Sequence, residues 1–249
     1  ELPGWPICIP SLDKQQAIAT VLGALDDKIA VNERIAATCE SLSVALASEE
    51  KWLARTELNE LVQQQRSQVS PSELADDSVA HYSLPAFDAS RAPEIVQPGT
   101  IKSAKFLIDR HSVLVSKLNP ATPRIWDVNP DPELPALAST EFMVLRPVDG
   151  LNPAEVWSVC CQPGFTEQLS SRATGTSNSH QRVRPAELLK SMVVDVRTIP
   201  EEIRMQISDL AKRARAARYE SIALAQLRDT LLPKLMSGEL RVRDAEKMV

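Results

Sequence analysis

The fold is decided by residues 12–46, which read LDKQQAIATVLGALDDKIAVNERIAATCESLSVAL. Apolar residues recur there at steps of mostly three and four, at Ile18, Leu22, Leu25, Ile29, Ile35, Cys39, Leu42 and Leu46. This spacing predicts a long amphipathic helix, and its length favours a coiled coil over an ordinary surface helix. Asn32 takes one polar position in the series. It could fix the register against a partner helix, or it could lie in a solvated or frayed turn.

A second stretch of the same kind lies near the other end of the chain. Pro200-Glu201-Glu202 is typical of a helix start. The apolar positions that follow are Ile203, Ile207, Leu210, Ala214, Ala217, Leu224, Leu227 and Leu231. Pro233 is expected to kink or end this helix. Two long helices separated by an insert are most simply packed antiparallel, so that each covers the apolar stripe of the other.

The insert between the helices has the pattern of short strands. Runs rich in β-formers occupy residues 79–84, 113–118, 142–145 and 192–196, with clusters of Pro, Asn, Asp and Gly between them. Two helical patterns fall near residues 153–169 and 185–192. The polar stretch 63–68 leads to Ser70-Pro71-Ser72, where we expect a hinge. The sequence therefore predicts an α+β fold, with one mixed α/β insert of short strands flanked by two long helices.

The composition argues against several functional classes. The chain has 249 residues but only 7 glycines, and it contains no glycine-rich phosphate-binding motif and no His-Glu-x-x-His motif. Its 3 histidines are far apart, and its 4 cysteines form no Cys-x-x-Cys pair. No apolar run reaches the roughly 20 residues of a membrane helix. We therefore expect a cytoplasmic protein that is not an enzyme, holds no metal or cofactor and has no membrane partner.

Charge is distributed unevenly along the chain. The formal net charge is −5, and residues 1–60 alone hold ten acidic and five basic residues. Residues 101–126 hold five basic residues and one acidic residue, and residues 172–190 hold four and one. Such local excesses of positive charge are typical of nucleic-acid-binding surfaces, which the overall charge conceals here.

The two basic patches supply the candidate DNA-contacting residues. In the second patch, small hydroxyl and amide side chains lead into Gln181, Arg182 and Arg184; a solvated polar loop would look similar. Gln can bond adenine bidentately, and Arg can do the same with guanine. In the first patch an apolar run ends in Lys117 and Asn119, which also fits an ordinary strand-to-turn boundary. The full candidate set is Lys102, Lys105, Lys117, Asn119, Arg124, Arg172, Thr174, Thr176, Ser177, Ser179, His180, Gln181, Arg182 and Arg184.

Five segments together resemble the specificity subunit of type I restriction–modification enzymes, in particular its second half. They are residues 9–16 (IPSLDKQQ), 113–120 (VLVSKLNP), 139–147 (STEFMVLRP), 174–183 (TGTSNSHQRV) and 231–240 (LLPKLMSGEL). Their order and spacing carry the resemblance over nearly the whole chain.

The resemblance implies a division of the chain and a role for each part. Its five parts are the end of a preceding recognition domain or an N-terminal lead (1–11), a central coiled-coil helix (12–52), a target-recognition domain (53–198), a C-terminal coiled-coil helix (199–240) and a tail (241–249). The two helices are expected to pack as an antiparallel coiled coil that measures the spacer of a split DNA target. With one recognition domain, the chain is either part of a longer subunit or a half-length subunit that pairs with itself.

The implied function is sequence-specific recognition of double-stranded DNA in defence against foreign DNA. Methyltransferase subunits, which bind S-adenosylmethionine, would dock on the helices, and a motor-nuclease subunit would join the full complex.

The candidate residues are expected to divide between two kinds of DNA contact. Lys102, Lys105 and Arg172 would neutralise phosphates. Base edges or nearby phosphates would be met by Lys117, Asn119, Gln181, Arg182 and Arg184. We expect Ser139, Thr140 and Glu141 to knit the domain together rather than touch DNA. The alternative function is that of a coiled-coil scaffold whose insert binds another protein.

Overall fold

The computed structural model describes residues 10–49, 51–52, 54–175 and 181–247. The described residues form seven α-helices and eleven β-strands. The helices are α1 (Leu12–Ala47), α2 (Leu84–Ser90), α3 (Pro153–Cys160), α4 (Pro163–Ser171), α5 (Pro185–Leu189), α6 (Glu201–Ser237) and α7 (Val242–Ala245). The strands are β1 (Arg55–Glu57), β2 (Val62–Gln65), β3 (Gln68–Val69), β4 (Val79–Tyr82), β5 (Glu94–Val96), β6 (Lys105–Ile108), β7 (Ser112–Ser116), β8 (Ile125–Val128), β9 (Ala136–Ala138), β10 (Phe142–Pro147) and β11 (Met192–Val194).

The chain divides into two compact units. A helical unit contains the residues up to 38 and those from 213 onward, and a mixed α/β unit contains residues 39–212. The predicted strand runs 79–84, 113–118, 142–145 and 192–196 each overlap one of the strands, although β7 begins one residue earlier than predicted and β10 ends two residues later. The α+β fold expected from the sequence is therefore confirmed. None of the described helices is apolar over a length that could cross a membrane.

In the helical unit, α1 and α6 pack antiparallel, as predicted. Asp26 pairs with Arg228 at 2.7 Å and Asn32 with Glu220 at 2.8 Å, so residue numbers fall along α6 as they rise along α1. Buried apolar side chains from both helices form one cluster that also includes α7. Its buried members are Ile18, Val21, Leu25, Leu231, Leu235 and Ala245.

Asn32 lies in the seam of this helix pair. Its side chain is only 2% exposed, and its Nδ2 donates to Glu220 Oε2. The other oxygen of that carboxylate lies 3.5 Å from Lys28 Nζ. A frayed turn is therefore the wrong interpretation of Asn32, and a register-fixing role is favoured. Sliding one helix along the other would leave the buried amide without its partner, at a cost of about 1–3 kcal/mol.

The buried face of α1 differs in part from the predicted stripe. Leu42 is 46% exposed, whereas its neighbour Ser43 is fully buried and donates its hydroxyl to the Cys39 carbonyl at 2.9 Å. The buried positions in this part of the helix include Ala36 and Ala47. Small residues therefore occupy part of the buried face of α1, where a count of large apolar residues predicts Leu42.

Pro233 lies inside α6, which continues to Ser237. The expectation that Pro233 ends the helix is therefore wrong. Leu231 and Leu235, on either side of it, are both buried in the helical unit. Their burial offsets the backbone hydrogen bond that proline removes.

The mixed unit is organised around a four-stranded antiparallel sheet with the order β2-β10-β7-β8. Both faces of this sheet are buried. Val113 and Val115 of β7 face a core that contains residues of α3, α4 and α5, whereas Leu114 faces a second core. A run such as Val113-Leu114-Val115 is apolar without alternation because each of its residues is buried on one face or the other.

The second core lies between this sheet and a five-stranded sheet with the order β3-β6-β9-β4-β5. The β4–β9 pair is parallel, and the other pairs are antiparallel. The Trp126 ring of β8 packs edge-on against Tyr82 and Phe87, with centroid distances of 4.9 and 5.4 Å. Trp126 thus fixes both the second sheet and α2 to the central sheet. A short antiparallel pair, β1–β11, forms a third sheet.

The polar stretch at residues 63–68 is part of the sheets rather than a linker. Strand β2 pairs with β10, and β3 pairs with β6. Pro71 begins a short 3₁₀ helix and is buried. The expected hinge is therefore wrong. Glutamines are accommodated here because β2 and β3 are edge strands whose side chains reach solvent.

Leu25 and Leu42 provide a matched test of how α1 is oriented. Leu25→Ala should lower the free energy of unfolding by about 2–5 kcal/mol, because it removes a fully buried side chain and leaves a cavity. Leu42→Ala should change it by less than about 0.5 kcal/mol. Urea denaturation followed by circular dichroism measures both. Equal losses would contradict the orientation of α1 described above.

His81 should make the stability of the mixed unit depend on pH. Burial and, to a lesser degree, nearby Lys105 lower the pKa of His81 below its ordinary value of 6.5, with Glu94 acting in the opposite direction. The unfolded chain therefore takes up a proton first as the pH falls. Above pH 6.5, His81 should leave the free energy of unfolding independent of pH. Below pH 6.5 the free energy of unfolding should decrease, and it should stop decreasing once the pH is below the pKa of His81 in the folded state.

The variant His81→Gln should flatten this decrease. Unfolding curves at pH 7.5, 6.5 and 5.5 measure the effect. A wild-type decrease that persists unchanged in the variant would assign it to another group.

Candidate nucleic-acid interface

The candidate site begins where β7 ends and β10 starts. Phe142 pairs with Ser116 in the register of these antiparallel strands. Lys117, which follows β7, therefore lies beside Glu141, which precedes β10, and its backbone N–H donates to the Glu141 carbonyl at 2.9 Å. Two of the segments that carry the sequence resemblance thus meet at one edge of the central sheet.

The third segment reaches the same edge through backbone hydrogen bonds. Asn119 N–H donates to the Gln181 carbonyl at 2.9 Å, and Val183 N–H donates to the Lys117 carbonyl at 3.0 Å. Arg182 and Thr174 exchange both of their backbone hydrogen bonds at 3.0 Å. Residues that are far apart in the sequence are therefore held in one short antiparallel arrangement.

Asn119 turns the chain at this edge. Its φ of 49° lies in the left-handed region, which Asn adopts more readily than most residues. Its carbonyl accepts from Thr122 N–H at 2.9 Å. Its side-chain Oδ1 is buried and accepts no hydrogen bond from the residues that the structure describes. The side-chain oxygen is therefore turned inward, the residue shapes the turn, and a DNA contact by Asn119 stays a prediction.

Arg182 and Glu141 form the central charged pair of the site. Arg182 Nε donates to Glu141 Oε2 at 3.2 Å, and Nη2 donates to Oε1 at 2.9 Å. The carboxylate raises the pKa of Arg182. The Arg182 side chain remains 52% exposed. Glu141 is thus paired with a candidate DNA-contacting residue, and its expected role in knitting the domain together stays a prediction.

Lys117 is the second cation beside Glu141. Its side chain is half-buried, and burial is the main cause that lowers its pKa, with Arg182 adding to the effect and Glu141 opposing it. Within the described parts of the chain, no hydrogen bond to Lys117 Nζ is formed. Two cations and one carboxylate thus give this edge a net positive charge.

Arg124 has a similar pairing but a different exposure. Its Nε and Nη2 donate to the two carboxylate oxygens of Asp88 on α2, at 2.6 and 2.8 Å. The arginine holds the pKa of Asp88 below its ordinary value. The Arg124 side chain is only 15% exposed, and its Nη1 is buried. Its charge serves to fasten α2 to the start of β8.

Two candidates for phosphate contacts are also engaged within the fold. Lys105 is 7% exposed, and its Nζ donates to the carbonyl and the hydroxyl of Ser103 at 3.0 and 2.7 Å. Arg172 is half-buried, and its Nη1 donates to the Glu187 carbonyl at 2.8 Å and to Ser191 Oγ at 3.1 Å. Their DNA contacts stay a prediction, but the structure gives both side chains a role in the fold.

The remaining candidates differ in exposure, and four of them lie outside the described residues. Lys102 and Arg184 are exposed, the latter directly before α5. Gln181 is half-buried, and Thr174 Oγ1 donates to the Arg182 carbonyl at 3.4 Å. The last four candidates lie outside the described residues: Thr176, Ser177, Ser179 and His180.

Sequence reasoning did not foresee the electrostatic roles of Asp88 and Glu141. The only available signal was the position of Glu141 in a segment that carries the resemblance. Nothing in the sequence around Asp88 points to Arg124, which lies 36 residues away.

Comparison with known proteins gives matches among solved structures only. No family model matches the chain, and no curated protein sequence matches it. The crystal structure of a type I restriction–modification system S subunit from M. genitalium is similar, with 15% sequence identity and a TM-score of 0.57 over 91% of this chain and 61% of that one. This likeness shows the fold alone, and it confirms the fold that the sequence resemblance implied: the chain has the fold of a type I S subunit.

Two further structures match with lower TM-scores. One is the HsdS subunit from Thermoanaerobacter tengcongensis, with 16% identity and a TM-score of 0.39 over 93% of this chain and 60% of that one. The other comes from work on complex assembly and conformational transition of the type I R-M system, with 16% identity and a TM-score of 0.41 over 93% of this chain and 61% of that one. The chain thus spans about three fifths of the length of the structures that it matches.

Arg172, which is bonded within the fold, and Arg184, which is exposed, should differ in their contribution to stability. Arg172→Ala should lower the free energy of unfolding by about 1–3 kcal/mol, because the Glu187 carbonyl loses a charged donor in a partly buried place. Arg184→Ala should change it by less than about 0.5 kcal/mol. Thermal and urea unfolding measure both. A stable Arg172→Ala protein would return Arg172 to the set of residues available for DNA.

Proposed function

We propose that the chain is a DNA-recognition subunit, or part of one, of a type I restriction–modification complex, and that its mixed unit reads one part of a split DNA target. The observation that carries the proposal is the meeting of residues 117–119, 141, 174 and 181–183 at one edge of the central sheet. The S-subunit fold supports it. In this role the chain binds DNA and catalyses nothing.

The chemistry of the edge suits duplex DNA. Arg182 and Arg184 are exposed, and the Lys117 carbonyl accepts from the N–H of Val183, the residue between them in the sequence. Guanidinium groups can bond both phosphates and the edges of bases, and side chains at a strand end can project towards a groove. Because Lys105, Arg124 and Arg172 are engaged within the fold, we assign recognition chiefly to Lys117, Gln181, Arg182 and Arg184, with Lys102 as a phosphate contact.

The helical unit suits a protein partner. Val31 of α1 and Leu232 and Met236 of α6 are large apolar residues that are exposed on this unit. The sequence resemblance implies that other proteins dock on these helices, and these three side chains are available for such contacts. We propose that methyltransferase subunits dock on these helices, supply S-adenosylmethionine chemistry and recruit the motor-nuclease subunit. Whether the chain acts as part of a longer subunit or pairs with itself follows from the oligomeric state of the complex.

Selection from a random pool of duplex DNA, with the chain bound to its methyltransferase partner, tests the recognition role. We expect one sequence class to be enriched, and its affinity should fall steeply between 50 and 200 mM salt, as it does for proteins that neutralise several phosphates. Lys117→Ala should weaken binding of the enriched duplex at least about tenfold. Lys51→Ala, a change of an exposed lysine beyond the end of α1, is the matched control and should leave binding unchanged.

The alternative outcome is equally clear. If no duplex is preferred and binding does not depend on salt, the recognition role fails. The scaffold role, in which the mixed unit binds another protein, would then be the better account.

A further inference from the structure

The Arg182 guanidinium is held along one of its two edges only. A guanidinium carries five N–H donors in a plane. Arg182 uses two of them, one on Nε and one on Nη2, for the Glu141 carboxylate. The second N–H on Nη2 and one of the two on Nη1 lie side by side on the other edge. That edge forms a planar fork of the kind that bonds guanine O6 and N7 together.

Arg182 is also fixed at its backbone. It exchanges both backbone hydrogen bonds with Thr174 and forms a bridge to Leu118 at the end of β7. An arginine normally gives up considerable rotamer freedom when it binds a ligand. With its main chain and one guanidinium edge already held, much of this freedom is lost before any ligand arrives, so the free fork is preorganised.

Arg124 shows what the same pairing does when the other edge is closed. It uses the same two nitrogens, Nε and Nη2, for the Asp88 carboxylate. Its Nη1, however, is buried and lacks a hydrogen-bond partner in the described structure. The Arg124 fork therefore cannot reach a large ligand such as DNA, whereas the Arg182 side chain is half exposed to solvent.

We propose that Arg182 reads a guanine through its Nη1/Nη2 edge, and that Glu141 is the positioning residue that aims this edge at the base. The inference rests on the proposed DNA-recognition function. It adds to that function the base that is recognised, the residue that contacts the base and the residue that holds this arginine in position.

The Glu141 carboxylate also determines which ligand the fork prefers. A DNA phosphate that approaches Arg182 comes close to a second anion and is repelled by it, whereas the edge of a guanine carries no net charge. Glu141 therefore weakens binding of Arg182 to the backbone of any DNA more than it weakens binding to a guanine. The acid beside the arginine thus increases selectivity at the expense of general affinity.

The experiment is a selection from random duplexes with the wild-type chain, Glu141→Gln and Arg182→Lys, each in complex with the methyltransferase partner. For the wild type we expect a guanine at one position of the enriched sequence, whose replacement weakens binding about tenfold or more. In Arg182→Lys, which has no planar fork, the preference at that position should shrink to about threefold or less, while the other positions keep theirs.

Glu141→Gln should reduce the guanine preference at that position in the same way, and it should also increase the affinity for DNA of any sequence. Its affinity for an unrelated duplex should rise about threefold or more, and its salt slope should steepen by about 0.9, as expected for one additional phosphate contact. Asp88→Asn is the matched control, because it breaks the equivalent pair at Arg124. It should leave the guanine preference unchanged.

Two results would overturn the inference while leaving the proposed function intact. One is an enriched sequence in which Arg182→Lys reduces no preference for guanine at any position. The other is a Glu141→Gln protein that keeps both the full guanine preference and the wild-type affinity for unrelated DNA. A wild-type chain that enriches no sequence would instead overturn the proposed function itself. Thermal melting of each variant identifies any loss of folding, and Arg182→Lys remains a test if Glu141→Gln is unstable.

Discussion

The register between β7 and β10 is the constraint on which the rest of the mixed unit depends. Both strands are buried on both faces, so a slip by one residue would exchange Leu114 and Val144 with the side chains of the opposite core. The packing of two different cores therefore permits one alignment only. That alignment sets Lys117 beside Glu141, and the backbone of residues 181–183 then joins the same edge. The charged edge is thus a consequence of how the apolar core packs.

Exposure, rather than charge, separates the basic residues of the mixed unit into two groups. Lys105, Arg124 and Arg172 are held by groups within the fold and are buried or partly buried. Lys102, Arg182 and Arg184 remain exposed. The net charge of −5 and the local excesses along the chain both conceal this division, since each counts a cation in the same way whether it fastens a helix or faces solvent. The proposed DNA contacts come from the second group and from the half-buried Lys117.

The sequence predicts the elements whose apolar residues follow a regular pattern and fails where burial depends on what packs beside a residue. The two long helices and the strands around Val113 and Phe142 were predictable, because their apolar residues either recur at steps of three and four or form a continuous run. The exposure of Leu42, the strand at Val62–Gln65 and the continuation of α6 past Pro233 were not, because each depends on what packs beside it. The same limit applies to the site: its strand end could be predicted, but the Arg182–Glu141 pair spans 41 residues and follows from the register of the sheet.

Among the carboxylates that hold a polar partner, Glu220, Asp88 and Glu141 show how the burial of that partner decides the consequence. Glu220 bonds Asn32 inside the helix pair, where an unpaired amide would be costly, so the contact specifies register. Asp88 bonds a largely buried Arg124, and the contact fastens a helix to a strand. Glu141 bonds an Arg182 that is half exposed, where an ion pair alone contributes only about 0–1 kcal/mol to stability. A pair that adds so little to the fold and yet fixes an arginine in place is better explained by the ligand that the arginine meets.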